Sequence, residues 1–164
     1  MPPTIPHLSI TRSAGRVRLD ASLAAVAKCF AAFWRGRAVA FASCLHNVGR
    51  HSFWREHRTV CLPDFQGVGI GNALSEFVAG VIKATGKKCG LTTSNPAMIR
   101  HRMRSPLWRC SRVPSLGKTT EKRKEARGQG KKGMHRTRAT TRLTAGFEYL
   151  GPPRVEDARR LGVV

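Results

Sequence analysis

Acidic residues, tyrosine and long apolar runs are all scarce in this sequence of 164 residues. Nine Asp and Glu face 30 Lys and Arg, which gives a formal net charge of +21. A field of that sign attracts phosphates, nucleic acid or anionic membrane surfaces, and it does not distinguish among them. An arginine-rich composition whose charge is simply solvated explains the same imbalance.

The lack of long apolar runs and the scattered cysteines together predict the cellular compartment of the protein. No window approaches the ~18 consecutive apolar residues that a membrane-spanning helix needs. The stretch from Met1 to Gly15 lacks the apolar segment of a secretory signal. The five cysteines include no C-x-x-C pair, so no clustered metal site is expected. These absences favour a cytoplasmic protein with reduced thiols.

Composition divides the chain into one core domain and several polar segments. Residues 1–20 are expected to be an irregular basic lead-in, and residues 21–116 the domain core. Residues 117–142 are rich in Lys and Arg and almost without apolar side chains, which predicts a disordered insert. That insert is either a solvated loop or a nonspecific nucleic-acid contact. Residues 143–151 are predicted to form the last strand of the domain, followed by a polar tail at 152–164.

Hydrophobic periodicity predicts an α/β fold for the core. Two apolar runs, at 29–33 and 38–45, flank a turn that contains Gly36, which predicts a β-hairpin. One long helix over 21–33 is the alternative, because alanine is frequent there. A strand at 57–62, an amphipathic helix at 71–85 and a second strand at 89–94 then predict a βαβ unit with parallel neighbouring strands. A shorter helix is expected over 95–103.

The turn of this βαβ unit has the composition of a phosphate-binding loop. Gln66-Gly67-Val68-Gly69-Ile70-Gly71-Asn72 leads from the first strand into the helix, where backbone N–H groups lack partners and the helix dipole is positive. A P-loop is excluded because Asn72-Ala73 stand where Lys and Ser or Thr are required. A dinucleotide fingerprint is excluded because its third glycine falls on Asn72 or Leu74. A purely structural glycine-rich turn is the remaining alternative.

Gln66-x-x-Gly69-x-Gly71 resembles the pyrophosphate motif of the GNAT N-acetyltransferases, which is (Gln or Arg)-x-x-Gly-x-(Gly or Ala). The segments 55–67 and 92–99 are similar to a GNAT-like group of bacteria and phage that is often attached to an ABC-type ATPase. The resemblance implies a mixed sheet flanked by helices, with a parallel βαβ core that binds acetyl-CoA. No Walker motif occurs here, so an ATPase is implied only as a separate partner. The stretch before the hairpin is shorter than in a full GNAT domain, which suggests a truncated member.

The resemblance also implies roles for individual residues. The first strand would hold the pantetheine arm, the turn amides the pyrophosphate, and Asn95 would lie beside the arm where the two parallel strands splay apart. Arg102 stands where the family has a tyrosine acid, and it is instead a candidate to bind a cofactor phosphate because its pKa is too high for an acid. The residues implied to contact the cofactor are Val60, Cys61, Leu62, Gln66, Gly67, Val68, Gly69, Ile70, Gly71, Asn72, Asn95 and Arg102.

The function implied is transfer of an acetyl group from acetyl-CoA to an amine. The amine must lose a proton before it attacks, and Glu56 and His57 are the candidate general bases. A backbone N–H of the first strand would polarise the thioester carbonyl. The alternative function is that of a catalytically inactive, basic GNAT-like protein that binds nucleic acid through 117–142.

Overall fold

A computed structural model describes residues 8–12, 27–46, 52–116 and 142–164. Within them, one mixed sheet of seven strands has the order β1-β2-β3-β4-β5-β7-β6. The strands are β1 (Leu8–Arg12), β2 (Lys28–Trp34), β3 (Arg37–His46), β4 (Phe53–Cys61), β5 (Lys88–Thr93), β6 (Trp108–Ser115) and β7 (Thr144–Tyr149). The helices are α1 (Ile70–Lys83), α2 (Pro96–Arg104) and α3 (Val155–Arg160), and a short 3₁₀ turn spans Pro63–Phe65.

The predicted β-hairpin is confirmed in β2 and β3, which pair antiparallel. Its two turn residues, Arg35 and Gly36, have φ values of 48° and 76°. Positive φ at both positions is the geometry that matches the twist of a two-residue hairpin. The alternative of a helix over 21–33 is wrong for residues 28–33, which lie in β2, and residues 13–26 lie outside the described part of the chain.

The predicted βαβ unit is also confirmed, because β4 and β5 pair in parallel and α1 connects them. β4 begins at Phe53, four residues before the predicted start at 57. Residues 53–56 precede the predicted strand, but they pair with residues 88–91 of β5, so the ladder holds them extended. α1 buries one side against the sheet, with Leu74, Val78 and Val81 fully buried.

Both ends of the described chain carry regular structure that composition did not predict. Leu8–Arg12 lies in the lead-in that was expected to be irregular, yet it pairs antiparallel with β2. An edge strand offers a row of unpaired backbone groups, and pairing with it orders a short segment of mixed composition. In the polar tail, α3 buries Ala158, and the N–H of Arg154 donates a 3.0 Å hydrogen bond to the carbonyl oxygen of Gly80 in α1.

β7 confirms the predicted terminal strand and lies between β5 and β6, antiparallel to both. It therefore joins the βαβ unit to β6, the outer strand on that side of the sheet. The expected disorder of the basic insert concerns residues that lie, except for Arg142, outside the described ranges. In the described part of the chain, no helix is long and apolar enough to cross a membrane.

Candidate functional site

A wedge-shaped gap opens between β4 and β5. The two strands are paired only from Phe53 with Lys88 to Glu56 with Leu91, whereas β4 continues to Cys61 and β5 to Thr93. We call this gap the notch. Its narrow end is at Glu56, and its open end leads to the glycine-rich turn. The splay that the resemblance implies is therefore present in the fold.

A β-bulge marks the narrow end of the notch. On the other side of β4, Cys44 pairs with Glu56 and Ser43 pairs with Arg58, so His57 has no opposing residue in β3. An extra residue of this kind bends the strand and shifts the alternation of its side chains. The bulge thus coincides with the point at which β4 leaves β5.

Beyond the bulge, alternate backbone groups of β4 face the notch. The N–H of Leu62 donates a 2.9 Å hydrogen bond to the carbonyl oxygen of Val39 in β3. In an antiparallel pair, neighbouring residues point their backbone groups in opposite directions. The backbone N–H and C=O of Thr59 and Cys61 therefore point away from β3 and into the notch. Among the three predicted arm-binding residues, Cys61 is placed to use its backbone N–H, whereas the N–H of Leu62 is already bonded to β3.

The turn between β4 and α1 leaves a set of backbone donors without partners. Gly67 and Gly69 have φ values of 82° and 91°, a backbone region that favours glycine. Within the described residues, no acceptor bonds the N–H groups from Gly67 to Asn72, and the first bonded amide of the helix is that of Ala73. No side chain caps the helix at Gly69, and its first turn has no acidic residue. The positive end of the α1 dipole is therefore uncompensated.

The two positive-φ glycines of the turn border open space. A Cβ built on Gly67 or Gly69 would meet no atom within 4 Å. Val68, between them, is 64% exposed, whereas the side chain of Ile70 is buried in the core. Ile70 can therefore offer only its N–H to a ligand. These amides form an anion cradle of the kind expected at a helix N-terminus.

Two side chains tie the turn to the end of β4. Gln66 donates a 2.9 Å hydrogen bond from Nε2 to the carbonyl oxygen of Cys61, and its own N–H is bonded to Pro63. The Cys61 thiol donates to the carbonyl oxygen of Phe65 at 3.2 Å. Burial raises the pKa of that thiol, which disfavours the nucleophilic thiolate. Gln66 and Cys61 thus fix the turn with their side chains.

The two predicted asparagines lie at the starts of helices, Asn72 in the first turn of α1 and Asn95 just before α2. The Oδ1 of Asn72 is buried and has no partner in the described part of the chain. Asn95 caps α2, because its Oδ1 accepts hydrogen bonds from the N–H groups of Ala97 at 2.9 Å and Met98 at 3.2 Å. Capping accounts for the carbonyl group of Asn95 and leaves its side-chain NH₂ available.

Glu56 and Arg102 lie inside the protein, linked through Ser75. The Ser75 hydroxyl donates to Oε2 of Glu56 at 2.5 Å and accepts from Nη2 of Arg102 at 2.5 Å. Glu56 is 6% exposed and Arg102 is 1% exposed. Burial lowers the pKa of Arg102, and Glu56 raises it in part. The guanidinium lies 4.5 Å from the centre of the Trp108 ring. This location places Arg102 in the core and away from solvent.

His57, in contrast, is exposed at the bulge. Partial burial lowers its pKa from the ordinary 6.5, and the neighbouring guanidinium groups of Arg58 and Arg55 lower it further. The imidazole is consequently neutral at neutral pH and able to accept a proton.

Sequence reasoning missed two polar residues of this region, Thr59 and Ser75. The hydroxyl of Thr59 donates to Oε1 of Glu56, so both carboxylate oxygens are engaged. Ser75 carried a usable signal, because it is a polar residue directly after Leu74 on the buried side of an amphipathic helix. Thr59 carried none, since its position relative to Glu56 depends on the bulge. Within the described ranges, no group of three His, Cys, Asp or Glu side chains could hold a metal ion.

Solved structures share this fold. An IAA acetyltransferase from Bacillus cereus matches with a TM-score of 0.60 and 15% identity, over 87% of this chain and 99% of that chain. A Bacillus subtilis acetyltransferase in complex with CoA matches with a TM-score of 0.57 and 10% identity, over 86% and 97% of the two chains. A GNAT family acetyltransferase from Elizabethkingia anophelis with acetyl-CoA bound matches with a TM-score of 0.55 and 13% identity, over 87% and 98%.

These likenesses show that the chain has the GNAT acetyltransferase fold, as the resemblance of its turn implies. No family model matches the sequence, and no curated protein matches it either. Identities of this size establish the fold and leave the activity to be argued from the site itself.

Proposed function

We propose that this chain is an N-acetyltransferase that moves an acetyl group from acetyl-CoA to an amine. The observation that carries the proposal is the continuity of the site. An uncapped helix N-terminus with unpartnered amides leads into a notch that the backbone N–H groups of Thr59 and Cys61 face, and an exposed histidine lies at its narrow end. Two of the structural neighbours are described as bound to CoA or acetyl-CoA, which favours the same ligand here.

The turn fits a pyrophosphate. The amides from Gly67 to Asn72 have no acceptor among the described residues, Gly67 and Gly69 border open space, and the helix dipole adds partial positive charge there. A phosphate with several such charge-assisted hydrogen bonds is held more strongly than by neutral partners. The side chain of Gln66, bonded to Cys61, would keep the turn in the shape that aims these amides.

The notch fits the pantetheine arm. From Glu56 to Cys61 the strand extends for about 17 Å at ~3.3 Å per residue, a length comparable with that of an extended pantetheine arm. The backbone N–H groups of Thr59 and Cys61 and the C=O of Thr59 would pair with the amides of the arm, as a neighbouring strand would, whereas the C=O of Cys61 is already bonded to Gln66. We assign Asn95 to the opposite wall, with its side-chain NH₂ as the available donor. Arg102 is left out of the cofactor contacts because its guanidinium is buried.

For the chemical step, we assign the general base to His57. Its lowered pKa leaves the imidazole unprotonated at neutral pH, and the bulge exposes it next to the narrow end of the notch. It would take a proton from the acceptor ammonium, directly or through water, and the free amine would then attack the thioester carbonyl. A backbone N–H of β4 would stabilise the oxyanion, and the departing thiolate would take its proton from solvent.

The test is binding followed by turnover. Calorimetric titrations with CoA, acetyl-CoA and a random-sequence DNA duplex should show saturable binding of both coenzymes. Release of free CoA should then be followed with a panel of amines that includes a polyamine, an amino sugar, a lysine derivative and a peptide N-terminus. At least one amine should accelerate the release. Tight DNA binding with no coenzyme binding would favour the basic nucleic-acid-binding alternative.

A further inference from the structure

The bulge in β4 is closed by a side-chain hydrogen bond between Thr59 and Glu56. In a regular strand, residues three apart point to opposite faces of the sheet. These two side chains meet on one face because the unopposed His57 adds one residue between them. The bond therefore spans the bulge and depends on it.

The same carboxylate is held from the helices. Ser75 of α1 donates to the second oxygen of Glu56, and Arg102 of α2 donates to Ser75. Arg102 in turn lies over the ring of Trp108 at the start of β6. A buried charged chain of this kind contributes little net stability compared with apolar packing, so stability alone does not account for it.

We propose that Thr59 is a positioning residue, which with Glu56 fixes the bulge so that the backbone N–H of Thr59 points at the acetyl carbonyl. This inference rests on the proposed function, because it takes the notch as the acetyl site. Ser75 and Arg102 hold Glu56 in place and do not touch the ligand. The arginine at the position of the family's tyrosine acid thereby acquires a different task in this chain.

Geometry supports Thr59 as the residue that needs such control. Its N–H faces the notch, three residues beyond the point where the strands separate at Glu56 and Leu91. Its methyl group also lies 4.0 Å from where a Cβ on Gly71 would be, so Thr59 lies beside the first turn of α1. An N–H donor stabilises an oxyanion only when it is preorganised within a few tenths of an ångström. A bulge without a fixed shape would not provide that accuracy.

The hydrogen bonds that Thr59 and Ser75 donate to Glu56, which we call the clamp, also explain why Glu56 is not placed to act as the base. Both of its oxygens already accept hydrogen bonds, from Thr59 and Ser75, and its side chain is buried on the helix-facing side of the sheet.

The experiment uses the carbonyl of bound acetyl-CoA as the reporter. Isotope-edited infrared difference spectra of acetyl-CoA, labelled at the acetyl carbonyl carbon, are recorded with the full chain and three variants. Thr59→Val is isosteric and lacks the hydroxyl, Thr59→Ser keeps the hydroxyl, and Thr144→Val is a matched change on the remote strand β7. The affinity of each protein for CoA is measured in parallel by calorimetry.

In the parent, the carbonyl band should lie below its position in free acetyl-CoA. In Thr59→Val it should move most of the way back, with the CoA dissociation constant changed by no more than about threefold, because the cradle is untouched. Thr59→Ser and Thr144→Val should keep the parent band. If the band in Thr59→Val stays at the parent position, the proposed role of Thr59 is overturned and the proposed function is not. A band in Thr144→Val at the position of free acetyl-CoA would have the same consequence. Failure of the parent to bind acetyl-CoA would overturn the proposed function together with it.

Ser75→Ala provides a second route if Thr59→Val does not fold. It removes the link between Arg102 and Glu56 and leaves the Thr59 hydroxyl in place. The carbonyl band should move in the same direction, by less. A band identical to that of the parent in a folded Ser75→Ala protein would show that the helices do not hold the bulge.

Discussion

Gln66 donates a hydrogen bond of 2.9 Å from its side-chain amide to the carbonyl oxygen of Cys61. The bond spans five positions and joins the last residue of β4 to the residue that begins the glycine-rich turn. The accepting carbonyl points into the notch, and the bond sets where the following amides stand. The glutamine of this motif therefore acts in this chain as a brace for the cradle.

Replacing that brace should weaken coenzyme binding modestly. Gln66→Met keeps the length of the side chain and loses the donor, so the turn should sample other conformations. One hydrogen bond of about 1 kcal/mol predicts a rise of roughly three- to tenfold in the CoA dissociation constant. Calorimetric titration measures it directly.

Thr85→Val is the matched control for that change. Thr85 also donates a side-chain hydrogen bond to a backbone carbonyl, that of Ile82 at 2.7 Å, but at the far end of α1. Its loss should leave CoA affinity unchanged. Equal effects of the two substitutions would mean that Gln66 acts through general stability.

Gly71 should tolerate a methyl group, unlike the two preceding glycines. It lies within α1 and has no positive φ, and an added Cβ would meet Thr59 at 4.0 Å, an ordinary contact. Because alanine favours a helix over glycine by about 0.5–1 kcal/mol, Gly71→Ala should raise Tm by about 1–3 °C. CoA affinity should stay within about threefold of the parent.

Gly90→Ala adds the same methyl group as Gly71→Ala but should lower Tm. Its Cβ would lie 2.5 Å from the carbonyl oxygen of Phe147 and 2.7 Å from the ring of Phe53. Since the backbone of β7 cannot move without breaking the ladder, this variant should melt at a clearly lower temperature. A lower Tm for Gly71→Ala would show that the turn needs a glycine there for reasons the contacts do not reveal.

The sequence predicted the βαβ unit well because each of its signals is local. Periodic apolar residues such as Leu74 and Val78 mark the helix, and the glycines mark the turn before it. The start of β4 at Phe53 was missed because residues 53–56 are extended only through pairing with β5, which is distant in sequence. The strand Leu8–Arg12 was missed for the same reason.

The candidate site was predictable only where it consists of backbone. The turn amides follow from glycine positions, so the cradle could be identified from the sequence. The buried position of the Arg102 side chain could not be predicted, because it depends on contacts with Ser75 in another helix and with the ring of Trp108. The bulge at His57 was equally hidden, since an extra residue shows only in the register with β3.

If His57 is the base, the plot of kcat/KM against pH should fall on its acidic side with the titration of one group. The imidazole accepts a proton only when it is deprotonated, so kcat/KM should fall as pH decreases through a pKa below 6.5. Its pKa is lowered by burial, by Arg58 and by Arg55. Removing one positive neighbour in Arg58→Gln favours the protonated imidazole, so the limb should move to higher pH. The measurement is kcat/KM for acetyl-CoA against pH, with a saturating amine.

His57→Gln completes this test. The variant should lose the acidic limb and about a hundredfold or more of kcat/KM, while keeping the parent's CoA affinity. A limb that persists unchanged in His57→Gln would assign the titration to another group or to the acceptor amine.

The cradle itself is tested by a side chain at Gly69. This residue has a φ of 91° and precedes the first helical residue, and no protein atom lies within 4 Å of an added Cβ. Valine there would strain the backbone and project into the space assigned to the pyrophosphate. Losing two or three charge-assisted hydrogen bonds, each worth about 1.5–3 kcal/mol, predicts a loss of CoA affinity of about a hundredfold or more.

Gly36→Val is the matched control, because Gly36 also has a positive φ, of 76°, with open space around it, and it lies in the hairpin turn. Both variants carry the same backbone strain, so both should melt at a somewhat lower temperature than the parent. Only Gly69→Val should lose coenzyme binding in calorimetric titrations, with circular dichroism confirming that both are folded. If folded Gly69→Val binds CoA as the parent does, the turn is structural, and the acetyltransferase proposal loses the observation on which it chiefly depends.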